Sequence, residues 1–162
     1  MTSSTAVLLS VALATAPLGS PPDSVSLSLS SDKSVYSKGE SVKLTVILEN
    51  LSVHDLTVNK RMAYPGPDLM IDIMDSMGNK LRWLAPAPPP IVTKEDFTVL
   101  KPGQRLVVPI SDMEDRLYDK FKVETEYRVK VRYQNTESGA KFNHAAWTGS
   151  LLSNTITFRW KG

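Results

Sequence analysis

The stretch Glu126–Asn135, EYRVKVRYQN, restricts the fold more than any other part of the chain. Tyr127, Val129, Val131 and Tyr133 alternate with Arg128, Lys130, Arg132 and Gln134. A period of two with β-branched and aromatic residues on one side belongs to a strand with one buried and one wet face. Such a strand needs neighbours in its own sheet and a second sheet against its apolar face, and the rest of the sequence supplies candidates for both. Ser41–Asn50 places Val42, Leu44, Val46 and Leu48 on one side, and Asp68–Asp75 does the same with Leu69, Ile71 and Ile73. Ser24–Ser30 alternates Val25, Leu27 and Leu29 with serines. Leu56–Asn59, Phe97–Leu100 and Leu106–Ile110 read as shorter strands, and Leu151–Trp160 reads as one strand with Ile156, Phe158 and Trp160 on a common face.

Turn chemistry separates these runs. Lys101-Pro102-Gly103-Gln104 has Pro and Gly at the two central positions of a type II turn. Ser76-Met77-Gly78-Asn79 predicts a hairpin that returns through Lys80–Leu84 with Leu81 and Trp83 inward. Ala85–Ile91 contains four prolines and lacks the donors of a central strand. Ser111–Phe121 is the one helical candidate. Ser111 and Glu114 have capping-box spacing, and one or two turns near 112–118 are expected. The layout predicts an all-β antiparallel sandwich with Greek-key connections, with a long β-barrel as the alternative. Tyr127 is placed to serve as a tyrosine-corner residue, its hydroxyl tied to the preceding loop.

A chain of 162 residues can bury a core in one domain, and it must do so without disulfides because it has no cysteine. Nineteen basic and seventeen acidic side chains are too balanced for nucleic-acid binding to follow from charge. Residues 1–16 read as a signal peptide: Ala6–Ala16 is an uncharged apolar run too short to span a bilayer, with Ala-x-Ala sites at its end. Residues 17–23 read as a linker and 24–162 as the domain. The expected location is secreted or periplasmic, with no membrane span. Asn50-Leu51-Ser52 is the only N-glycosylation sequon.

Catalytic patterns are missing from the sequence. The two histidines, His54 and His144, lie ninety residues apart. Neither a His-Glu-x-x-His nor a Gly-x-Ser-x-Gly pattern occurs. No enzymatic activity and no cofactor are expected. The binding candidates are two loop aromatics, Tyr64 in Arg61–Asp68 and Trp147 in Asn135–Ser150, and the basic stripe Arg128, Lys130 and Arg132. Each loop is read as exposing its aromatic, and Trp147 is either an anchor for a partner or a lid folded over the core edge. The stripe is either a solvated face that discourages edge pairing or a surface for an acidic partner. Met70, Met74 and Met77 carry soft thioethers that suit Cu(I), or fill gaps on a partly covered face.

Several short motifs share a further resemblance: Gly39-Glu40 through Glu49-Asn50, Asp75-Ser76-Met77-Gly78, Glu95-Asp96-Phe97, Leu100-Lys101-Pro102-Gly103-Gln104, Tyr127-Arg128-Val129 with Tyr133, and Ser153-Asn154-Thr155-Ile156-Thr157-Phe158. In this order, over Ser24 to Trp160, the chain resembles the immunoglobulin-like sandwich of exported bacterial proteins. It is similar to the domain preceding the catalytic part of secreted deuterolysin-type and peptidyl-Lys metallopeptidases. These are turn and core residues, and the zinc-binding helix of that family has no counterpart here. The resemblance therefore implies a non-enzymatic exported module that contacts a protein or a glycan. The alternatives are a proteinase inhibitor acting through Ala85–Ile91 or Asn135–Thr148, and a Met-rich Cu(I) carrier.

Overall fold

A computed structural model of the chain describes residues 24–84 and 91–161. The apolar run and linker before Ser24, and most of the proline segment, lie outside the described residues. The described chain is an all-β sandwich. One sheet has the order β1 (Val25–Ser31), β3 (Leu44–Asn50), β7 (Arg105–Ile110). The other has the order β2 (Val35–Tyr36), β10 (Ile156–Trp160), β8 (Thr125–Asn135), β5 (Leu69–Asp75), with β9 (Gly149–Leu152) also on β8. A ribbon of β4 (Leu56–Asn59) and β6 (Phe97–Leu100) closes one end.

The alternation in each strand sets which side chains meet between the sheets. Val25, Leu27 and Leu29 of β1 and Leu44, Val46 and Leu48 of β3 face inward from one sheet. Leu69, Ile71 and Ile73 of β5 and Tyr127, Val129, Val131 and Tyr133 of β8 face inward from the other. All belong to one buried cluster with Tyr36 and Phe158. The hydrophobic effect supplies about 25 cal/mol for each Å² of apolar surface so covered, which is why strand parity, not turn sequence, fixes the register. The Tyr127 hydroxyl accepts a 2.7 Å bond from the Lys122 N–H, the predicted tie to the preceding loop. Gly103 adopts φ 73°, and the Gln104 N–H reaches the Lys101 carbonyl at 2.9 Å, as the Pro-Gly turn requires.

Four local expectations change. Leu151–Trp160 is two strands, because the pairing with β8 gains one residue between Leu152↔Arg132 and Ile156↔Val129. That is a bulge, and it shifts the inward parity from Ser153 to Ile156 and Phe158. Ser153 sits at the step: its backbone N–H donates to the Val131 carbonyl, and its hydroxyl accepts from the Val131 N–H. Asn154 turns its side chain across to β1, accepting from the Leu29 N–H at 2.8 Å and donating to the Leu29 carbonyl at 2.9 Å. It thereby joins the two sheets.

The hairpin after β5 does not return as a strand. Beyond an isolated bridge at Met74↔Lys80 the chain leaves β5, and Arg82–Leu84 pairs instead with Arg116–Tyr118. The same pairing bounds the helix, which is as short as expected. α1 is a single turn, Met113–Arg116, because Leu117 is already extended and bridged to Trp83. Its cap also differs: the Glu114 carboxylate accepts the Val42 N–H rather than closing a capping box with Ser111. Finally, the chain after β1 crosses to the other sheet, where β2 runs parallel to β10. Among the described strands the other pairings are antiparallel, and an isolated parallel bridge joins Thr57 to Ala146.

Candidate functional site

The two loop aromatics are buried, contrary to their expected exposure. Tyr64 is 8% exposed. Its hydroxyl donates to the Asp112 carboxylate, its ring meets Trp83 edge-on at 6.3 Å, and the Arg116 guanidinium lies over it at 4.9 Å. Trp147 is 3% exposed and stacks on Tyr133 at 5.9 Å with 18° between the ring planes. The loops fold inward because their backbones are claimed by buried polar groups. Trp147 donates its backbone N–H to the Thr57 carbonyl, and its own carbonyl accepts from Asn135 Nδ2. The Tyr133 hydroxyl donates to the Asn59 carbonyl at 2.7 Å, and Arg61 pairs with Asp68 at 2.7 Å in a largely buried ion pair. Neither aromatic offers a face to a partner; Trp147 is a lid over the end of the core. Asn50 of the sequon is also fully buried. Its Nδ2 donates to the His54 and Leu100 carbonyls, which leaves it no role as a glycan acceptor.

Arg128, Lys130 and Arg132 do stand together on the outer face of β8. Their cross-strand neighbours on β5 are Met74, Asp72 and Met70 in that order. On the other side Thr157 lies opposite Arg128 and Leu152 opposite Arg132. Asp72 is the carboxylate directly across from Lys130, but it is engaged by Lys80. Arg159, on the same face of β10, pairs with Glu124 at 2.7 Å. Glu126 occupies the end of the face opposite Arg159. Among the described residues, Arg128, Lys130 and Arg132 have no ion pair of their own. Met74 is 36% and Leu152 54% exposed beside them. Three unpaired cations flanked by apolar side chains can meet an acidic surface with both charge and contact area.

The methionines are distributed differently from a metal site. Met70 and Met74 share the outer face of β5, but four residues of strand hold their Cα atoms about 13 Å apart. Asp72, bonded to Lys80, lies between them, and Met77 sits in the turn beyond β5. The strand spreads the thioethers rather than gathering them round one ion.

No family model and no curated protein matches this chain.

Two concave regions flank the segment Leu117–Lys122, and the sequence signalled neither. A polar groove on one side is lined by Asp75, Lys80, Arg82, Asp119 and Lys122. Its carboxylates are both committed. Asp75 closes the hairpin turn, accepting from the Asn79 side chain and from the Asn79 and Met77 N–H groups, and these bonds hold it below the usual carboxylate range. Asp119 accepts from the Arg82 guanidinium at 2.8 and 3.1 Å and from the Arg82 backbone N–H. Those bonds hold its pKa down to about 2. Both stay ionised at neutral pH, so neither can serve there as a proton donor. On the other side is an apolar cleft bounded by Phe121, Val123 and Trp160. Its residues come from parts of the chain far apart in sequence and carry no motif, so only the packing of the 117–123 segment reveals it.

Proposed function

We propose that this chain is a non-enzymatic, exported binding module that contacts an acidic protein or glycan through the outer face of its larger sheet. The observation that carries this reading is the row Arg128, Lys130 and Arg132, left without carboxylate partners while Asp72 and Glu124 nearby are taken by Lys80 and Arg159. A solvated face serving only solubility has charges of both signs interspersed. Here the pairing stops at the three central positions and exposed Met74 and Leu152 border them. The non-catalytic part of the reading rests on the sequence, which carries neither a His-Glu-x-x-His nor a Gly-x-Ser-x-Gly pattern. Export rests on the apolar run Ala6–Ala16 and the Ala-x-Ala sites at its end.

The test is retention on immobilised heparin and on immobilised polyglutamate at low salt. The triple variant Arg128→Glu/Lys130→Glu/Arg132→Glu is compared with Lys43→Glu/Lys60→Glu/Lys101→Glu, which changes net charge equally at exposed positions elsewhere. The reading requires the first variant to lose retention and the second to keep most of it; the more retentive column assigns the partner's chemistry. Equal losses would reduce the effect to net charge and end the reading.

A further inference from the structure

We infer that the cleft beside Trp160 is a binding site for a small amphipathic anion, a carboxylate on a compact apolar body. The cleft has a volume of about 270 Å³. A cavity of about 150 Å³ lined by apolar side chains holds benzene, so this one has room for a bicyclic aromatic or a medium aliphatic chain. Its apolar surface comes from Leu117, Phe121, Val123 and Trp160. Phe121 is locked in place, packed edge-on against Tyr127 and Phe158 and at 5.1 Å from Trp160, so the wall is preformed. Val123 at the mouth is 62% exposed, an aliphatic side chain that the fold leaves uncovered.

Charge at the rim selects the ligand. Lys38 and Lys120 line the cleft together with Glu114 and Asp119. Asp119 is neutralised by Arg82, whereas Glu114 accepts the neutral Val42 N–H and keeps its charge, so the two lysines leave the rim one net positive charge. Lys120 donates to the Glu114 carbonyl at 3.2 Å and keeps its other ammonium hydrogens free, while Lys38 has no carboxylate partner among the described residues. An apolar slot whose rim carries a net positive charge from Lys38 and Lys120 complements an anion whose body is apolar. A neutral ligand would gain from the slot alone, and a cation would be opposed at its mouth.

The experiment titrates octanoate, octanamide and octylammonium into ¹⁵N-labelled protein and follows amide and indole N–H shifts. Octanoate should bind tighter than octanamide, and octylammonium weakest, with shifts centred on Phe121, Val123 and the Trp160 indole. Lys38→Ala/Lys120→Ala should weaken octanoate on the order of 3- to 10-fold, as two exposed ion pairs allow, and leave octanamide unchanged. Val123→Trp, which fills the mouth from an exposed position, should abolish both. Equal affinity for octanoate and octanamide, or octanoate shifts centred away from Phe121 and Trp160, would overturn the assignment. So would the absence of any saturable octanoate binding. All three are independent of whether the outer face of β8 binds anything.

Discussion

Replacing Asn135 by Ala is the sharpest test of what holds the loop end of the sandwich closed. The Asn135 side chain donates to the Trp147 carbonyl and, at 3.1 Å, to the Glu137 carbonyl; its Oδ1 accepts from the Glu137 N–H at 3.0 Å and from Asn59 Nδ2 at 3.4 Å. Water can replace the two bonds to Glu137, which is only half-buried, so each costs about 0.5 kcal/mol. The Trp147 carbonyl and the Asn59 amide are buried and would be stranded, at about 1–3 kcal/mol each. Relaxation around the small void recovers part of this, and the expected loss is about 3–5 kcal/mol. For a domain of this length that corresponds to a fall in Tm of roughly 10–15 °C. Urea unfolding followed by circular dichroism should show a lower midpoint with unchanged slope, because the surface exposed on unfolding is the same. The exposed neighbour Thr136→Ala should change stability by less than about 0.5 kcal/mol. If Asn135→Ala costs less than about 1 kcal/mol, the loop end is held by apolar packing of Trp147 and not by the buried amide.

Other consequences follow from the same geometry. Trp147→Ala should cost about 3–5 kcal/mol, as for a large core side chain, and leave retention on heparin or polyglutamate at temperatures below its Tm unchanged; loss of retention without loss of stability would restore the loop-anchor reading. Asn154→Ala removes both side-chain bonds to Leu29 and should cost about 1–2 kcal/mol, with faster hydrogen exchange at the Leu29 amide as the local readout. Burial raises the pKa of Tyr36 to about 12 and also raises those of Tyr127 and Tyr133 above the ordinary value of 10.0. The folded chain therefore keeps phenol protons that the unfolded chain releases. This stability is complete below pH 10 and falls as the pH rises toward 12. The urea midpoint should be lower at about pH 11 than at about pH 9, and Tyr36→Phe should flatten that slope; unchanged midpoints would refute the buried phenols.

Strand identity and facing were legible in the sequence because period-two alternation records burial directly. Val42 to Leu48, Leu69 to Ile73 and Tyr127 to Tyr133 face where their parity puts them. What was not legible depended on partners distant along the chain. The helix stops at Arg116 because Leu117 is claimed by Trp83, and no local propensity encodes that competition. The break between β9 and β10 comes from Ser153 and Asn154 substituting side-chain bonds for backbone ones, which a residue-type pattern does not distinguish from a continuous strand. Tyr64 and Trp147 sat in polar stretches; Tyr64 read as exposed, and Trp147 as an anchor or a lid, of which the lid is what the fold has. Their burial follows from Asp112, Asn135 and Thr57, all of them reached through space. The basic stripe is visible as a pattern, but its cations lack partners because Asp72, directly across from Lys130, pairs with Lys80, which the pattern does not encode.

The most direct measurement of the central claim is a map of amide shifts in ¹⁵N-labelled protein as a heparin oligosaccharide or a glutamate oligomer is added. The account predicts that shifts and line broadening concentrate on Arg128, Lys130 and Arg132 of β8, with Met70 and Met74 of β5 and Leu152 of β9 around them. Shifts gathered instead on the outer face of the opposite sheet, at Ser28, Lys43, Thr45 and Ile47, or spread evenly over every exposed lysine, would contradict it.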